Sequence, residues 1–259
     1  ALGFDVDDPA VAVERATALL SETVPRERGD GEEMLLAVRA PDSSEMFFGR
    51  VDPSGTPGWV KEFTNSSPPS SGPLVSGVDH VNLAQSWRHF DAAVLFCTSV
   101  LALEPQPSLD VAAPTGLVRS QVMCSKDGAV RLVLNIAPSD TAEQTVLPQH
   151  VAFSSTDALA VARRARERGL AFLPIGNNYY DDLHARYNLD ATFLEELRDL
   201  QLMYDRDENG EFLHFHTEPL GNVFFEVVER RHGYDGFGAA NAPVRLAAQH
   251  TQRLDGGER

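Results

Sequence analysis

The sequence predicts an α+β fold of paired strand-helix-strand-strand-strand modules forming half-open barrels, one built around a metal and a degenerate copy beside it. Three observations carry this expectation. Short apolar runs with strand character alternate with helical patterns along the chain. Two stretches repeat, since 1–8 (ALGFDVDD) lines up with 150–157 (HVAFSSTD), each followed by a helix rich in alanine and arginine, and 45–49 lines up with 222–226. Finally, His80, His150 and Glu226 stand isolated in three different strands, an inventory suited to a non-haem iron centre with open coordination positions.

In chain order, 2–6 reads as a strand, and Asp8-Pro9 opens a helix with aspartate as N-cap and proline at the first helical position. Strands at 34–38 and 46–51 follow, separated by the turn 40–43, with a last extended piece at 59–63. The stretch 65–77, rich in serine and proline at its start, is the linker, dividing a non-metal half (1–64) from a metal-binding half (78–245) and a frayed polar tail (246–259). Beyond the linker come the His80 strand and a helix at 87–103 with Phe90, Val94, Cys97 and Leu101 on one face. A hairpin turns on Asp127-Gly128, and 138–145 is loop. The His150 strand leads into a helix ending at Gly169, then a polar loop with Tyr179 and Tyr180, a helix at 191–200, and strands at 211–217 and 223–229. By the alignment of the repeats, Ala1 and Gly49 stand in the first copy where His150 and Glu226 stand in the second, so the first copy lacks the ligands.

The chain has 259 residues with 22 basic and 38 acidic side chains, a formal charge of 22 − 38 = −16, which argues against nucleic-acid and anionic-membrane surfaces. Cys97 and Cys124 are too few for a disulfide framework and read as reduced cytoplasmic thiols. No run approaches the ~20 apolar residues of a membrane helix. The absent initiator methionine and the immediate entry into a strand suggest a piece of a longer protein.

Ligands so far apart in sequence exclude a finger or a helix-borne H-E-x-x-H site and fit side chains gathered from separate strands. The competing reading is that both histidines are ordinary strand residues and Glu226 faces solvent. Against it, Glu226 shares its face of an alternating strand with Phe224 and Val228, and an unpaired carboxylate on a buried face costs several kcal/mol. His214 and His216, at i, i+2, share one strand face, so His214 either reaches the site from behind the ligands or is an ordinary structural histidine.

Residues 78–245 resemble 4-hydroxyphenylpyruvate dioxygenase and the vicinal-oxygen-chelate superfamily through Val78-Asp79-His80-Val81, 116–120 (GLVRS), Leu134-Asn135, Gln149-His150-Val151-Ala152, Tyr179-Tyr180, 205–210 (DRDENG), Phe224-Phe225-Glu226 and Gly236-Phe237-Gly238 with Asn241. The resemblance implies iron(II), or another divalent ion (Mg, Mn, Co, Zn), held by His80, His150 and Glu226. It also implies a 2-oxo acid chelating the metal, dioxygen as co-substrate, and Ser120, Asn135, Gln149 and Asn241 near the substrate. Departures fall in the pocket: Ile136-Ala137 replaces Glu-Pro, His214 a glutamine, Ala242 a phenylalanine and Val146-Leu147-Pro148 a glycine-rich approach. A kept triad in an altered pocket is similar to the dioxygenase-like half of two-domain 3-dehydroshikimate dehydratases, which implies an upstream barrel and self-association. Two functions follow: an iron(II) dioxygenase of a 2-oxo or aromatic acid, or a metal-binding accessory domain without that chemistry.

Overall fold

The structure, a computed structural model, describes residues 1–50, 58–63, 74–136 and 149–256. The elements run β1 (Leu2–Asp5), α1 (Pro9–Ala18), β2 (Leu36–Arg39), β3 (Glu45–Gly49), β4 (Val75–Gln85), α2 (Phe90–Ser99), β5 (Glu104–Pro105), β6 (Leu109–Ala113), β7 (Gly116–Cys124) and β8 (Arg131–Ile136). They continue with β9 (Gln149–Ser155), α3 (Ala158–Glu167), α4 (Asn177–Tyr187), α5 (Ala191–Leu200), β10 (Met203–Arg206), β11 (Glu211–His216), β12 (Val223–Arg231) and α6 (Ala242–Gly256). Two compact units result, residues 1–71 with 88–105, and residues 72–87 with 106–259.

The first unit is a sheet in the order β1-β3-β2, with β1 parallel to β3. The Asp8 carboxylate accepts from the Ala10 and Val11 amides at 2.9 and 3.3 Å, and Pro9 occupies the first turn, where its missing N–H costs nothing. Ala16, Val38, Met46 and Phe48 form its core together with Phe96 and Val100 at the end of α2. That packing explains why α2, which lies beyond the linker in sequence, clusters with this unit. The segment expected to be extended at 59–63 is instead a 3-10 turn, Gly58–Glu62, whose coil brings the Trp59 and Phe63 rings edge to face at 5.9 Å.

The second unit is a curled, half-open sheet in the order β10-β11-β12-β9-β4-β8-β7, with β6 beside β7. Its strands come from two strand-helix-strand-strand-strand passes of the chain that meet at the antiparallel pair β4/β9, the helix of the first pass being α2 of the first unit, and in each the first strand lies parallel to the last, β4 to β8 and β9 to β12. The first unit repeats this connection with β1 and β3. α3 starts on an Asp157 cap to the Ala160 amide at 2.8 Å, the counterpart of Asp8. The registers Leu2↔Met46 and Val151↔Phe225 correct the alignment of the repeats: Phe47, not Gly49, occupies the place of Glu226. The first copy still offers no carboxylate there.

Strict alternation divides β11 and β12. Leu213, Phe215 and Val227 pack into the core made with α3, α4 and α5, and alternation turns His214, His216 and Glu226 to the inner face. Three further expectations change. Tyr179 and Tyr180 lie in α4 rather than a polar loop, because the polar run carries Tyr179, Tyr180 and Leu183 on one buried face, each 3% exposed or less. The tail is helix α6 from Ala242, anchored by Val244 and Ala248 against the same core. β4 begins at Val75, inside the segment read as linker, while 65–73 and the loop 138–145 lie outside the described residues.

Candidate metal centre

Register brings the three residues together. Glu226 on β12 faces Ala152 on β9, and Ala152 faces His80 on β4, so one lateral row carries a carboxylate, a methyl and an imidazole on the same face. Only a small side chain between them lets Glu226 and His80 meet. His150 lies two positions before Ala152 on that face and completes the group. His80 Nε2, His150 Nε2 and Glu226 Oε2 form a triangle with sides of 3.3, 3.2 and 3.3 Å, all three residues being 3–5% exposed.

Such a triangle fits one face of an octahedral ion, whose neighbouring ligands stand about 3 Å apart when its bonds are about 2.1 Å. The donor set fits as well. Burial pushes His150 down to about 3, leaving it neutral with a free lone pair. Burial also opposes charge on His80, but hydrogen bonds to Asp79 and Glu226 outweigh it and raise its pKa. Two imidazole nitrogens facing each other at 3.3 Å beside a carboxylate require a hydrogen or a cation between them. Glu226, despite burial, is held well below the usual carboxylate range by the surrounding histidines. The chain therefore has a His/His/Glu metal-binding site.

Two of the three donors, His80 and Glu226, are braced from behind. A bulge between Val78 and His80 leaves Asp79 without a partner on β9. The buried Asp79 carboxylate accepts His80 Nδ1–H at 2.8 Å and takes both Nε and Nη2 of Arg230 at 2.9 Å. Burial would raise this carboxyl, yet the Arg230 and His80 hydrogen bonds hold it well below the ordinary range. Arg230 in turn lies over the Phe212 and Phe237 rings and donates to Gly236 O. On the other side His214 Nδ1 donates to Glu226 Oε1 at 2.6 Å, and His214 Nε2 accepts from Asn241 Nδ2 at 2.9 Å. Asn241 Oδ1 accepts from the Tyr179 hydroxyl at 2.9 Å, and that hydroxyl accepts from the Tyr204 amide at 2.9 Å. Burial raises the Tyr179 pKa, which keeps the hydroxyl a donor.

The other residues singled out in the sequence are distributed along the sheet. Asn241 is fully buried and joined to His214. Ser120 on β7 faces Asn135 on β8, which faces Ala84 on β4, a row on the His80 face of the sheet. Asn135 Oδ1 is buried with no hydrogen-bond partner among the described residues. Gln149 opens β9 beside His150, where alternation turns it to the opposite face. Sequence reasoning missed the roles of Ala152, Arg230 and His216. Only the last left a signal, its i, i+2 relation to His214.

The fold and site together define a metal-binding domain of vicinal-oxygen-chelate architecture, and the chain is a 4-hydroxyphenylpyruvate dioxygenase-like member of that superfamily. It is 39% identical over 258 residues to the 3-dehydroshikimate dehydratase of Pseudomonas aeruginosa, covering 96% of this chain and 41% of that protein. Against the enzyme of the same name from Pseudomonas putida the identity is 36% over 266 residues, covering 98% of this chain and 41% of the relative. A solved xylose isomerase-like TIM barrel/4-hydroxyphenylpyruvate dioxygenase fusion protein superposes with a TM-score of 0.80 at 32% identity, covering 96% of this chain and 41% of that one. The chain thus spans about two fifths of the length of these relatives. No family model matches it.

Proposed function

We propose that this chain is the metal-holding, dioxygenase-like part of a 3-dehydroshikimate dehydratase, binding a divalent ion and a small aromatic or 2-oxo acid without performing the dehydration itself. One observation carries the reading: the His80/His150/Glu226 triangle is intact in a chain 39% identical to such a dehydratase, while its pocket departs from the dioxygenase pattern at His214 and Ala242. Iron(II) is the first choice of ion, because two imidazoles and a carboxylate on one octahedral face suit it, with Mg, Mn, Co and Zn as alternatives. The bound ion supplies a Lewis acid with open positions for a chelating acid. Asp79 fixes the tautomer of His80, His214 steadies Glu226, and Ser120 with Asn135 offers hydrogen bonds to the distal end of the acid. The dehydratase chemistry belongs to a barrel fused to this domain, in a self-associating cytoplasmic protein.

A second reading, an active iron(II) dioxygenase, is favoured by the facial geometry of the triangle itself. Oxygen uptake by iron-loaded protein with 4-hydroxyphenylpyruvate separates the two. We expect retained metal and no substrate-dependent uptake. Turnover of about 1 s⁻¹ or more, an ordinary enzymatic rate, decides for the dioxygenase, and failure to hold any metal refutes both.

A further inference from the structure

We infer that Glu226 is shared between two cation sites, Oε2 with His80 and His150, and Oε1 with His214 and His216, so that the centre takes two divalent transition-metal ions together with an organic acid. Two groups of buried donors each have their ligand atoms within 4.8 Å of one another, His80/His150/Glu226 and His214/His216/Glu226, and they intersect only in Glu226. The carboxylate divides between them. Oε2 is 3.3 and 3.2 Å from His80 and His150, whereas Oε1 is 2.6 and 3.5 Å from His214 and His216. Strand register dictates this, because His216 pairs laterally with Glu226 and alternation returns His214 to the same face.

His216 supplies the independent observation. It is 3% exposed, its Nδ1 has no hydrogen-bond partner among the described residues, and its Nε2 meets Glu226 only at 3.5 Å, the outer limit of a hydrogen bond. The Nδ1 edge faces away from Glu226; what calls for a partner at the site is Nε2, which the carboxylate holds only loosely. His214, by contrast, is bonded at both nitrogens, yet its partners permit an exchange. If a cation takes Nδ1, the proton there moves to Nε2, and Asn241 turns its amide to accept it with Oδ1, giving up the Nδ2–Tyr204 O hydrogen bond at 3.1 Å. Its Nδ2 then faces the Tyr179 hydroxyl, which accepts from it and donates to Tyr204 O, now at 3.1 Å. No proton is gained or lost by the protein.

Charge fixes what else must bind. Two divalent ions against one carboxylate leave the centre strongly positive, and Arg245, whose guanidinium lies over the Phe224 ring two positions from Glu226 on β12, adds to this. The second ion therefore enters with an anion, and the acid of the proposed function, on which this inference rests, is the available one.

The test is a Co²⁺ titration of the full-length protein with and without protocatechuate, read by metal analysis of the washed protein and by visible absorption. We expect two ions per chain at saturation with the acid, the second binding at least tenfold more weakly when the acid is omitted. His216→Phe and His80→Phe should each retain one ion, with different absorption spectra. Circular dichroism checks folding, and His214→Gln replaces His216→Phe if that variant does not fold. Saturation at one ion with and without acid, or two ions retained by His216→Phe, overturns the shared carboxylate while leaving the first site intact. Binding of no ion overturns the proposed function as well.

Discussion

Asp79→Asn separates the two jobs of the bulged aspartate. The substitution keeps the shape but removes the charge that pairs with Arg230 and turns the anionic acceptor that orients His80 into a neutral amide oxygen. Breaking a buried ion pair by neutralising one partner costs about 3–5 kcal/mol when the other charge is stranded. Here the Arg230 side chain is 16% exposed and keeps Gly236 O and two aromatic faces, so a loss of about 2–4 kcal/mol is expected by denaturant unfolding of metal-free protein. Removing the anionic partner of a ligating imidazole weakens metal binding by about 10–100-fold, measurable by Co²⁺ titration. The double variant Asp79→Asn/Arg230→Met should recover much of the stability but little of the affinity, because it removes the stranded charge without restoring the anionic partner of His80. Cobalt affinity within twofold of wild type in Asp79→Asn would refute the role assigned to this aspartate.

Ala152→Leu places a branched side chain between Glu226 and His80 at a fully buried position. It should abolish stoichiometric metal binding and cost about 1–3 kcal/mol from overpacking, and a variant that still binds one ion tightly would contradict the row geometry. Asn241→Ala removes a fully buried amide bonded to His214 and Tyr204 O; we expect about 1–3 kcal/mol of destabilisation, with a smaller loss of metal affinity than in Asp79→Asn. The pH dependence follows from His80, whose pKa is raised above 6.5. A proton there competes with the ion, so the logarithm of metal affinity should fall by about one per pH unit below that raised value and level off above it. In the metal-free protein the same shift acts in the opposite sense: its stabilisation is complete below 6.5 and is lost as pH rises through the folded value. Metal-loaded and metal-free melting curves across this range should diverge as pH increases.

Much of the site was legible in the amino-acid sequence because its signals are local. A histidine at a strand start, an Asp-Pro helix opening and a carboxylate inside Val-Phe-Phe-Glu-Val-Val are read from neighbours alone, and the resemblance to 4-hydroxyphenylpyruvate dioxygenase marks His80, His150 and Glu226 as one set of candidate donors. The repeats were visible too, but the equivalence of Gly49 with Glu226 slipped by two positions, a shift that preserves side-chain alternation and so leaves no trace in the pattern. Tyr179 and Tyr180 looked like loop residues because their neighbours are polar, and only the packing of α4 showed that one face of that run is apolar.

By itself the chain order determined most of the strand and helix types and the absence of local metal motifs, and it singled out three candidate donors, since each depends on residue chemistry and short-range spacing. Tertiary structure decided which atoms meet. Lateral register put the Ala152 methyl between Glu226 and His80, a bulge brought Asp79 behind an imidazole, and the pairing of β11 with β12 set His214 and His216 against the other oxygen of the same carboxylate. Those choices depend on pairing between strands far apart in the chain, and pairing energy is spent on whole hydrophobic faces, so no single residue announces it.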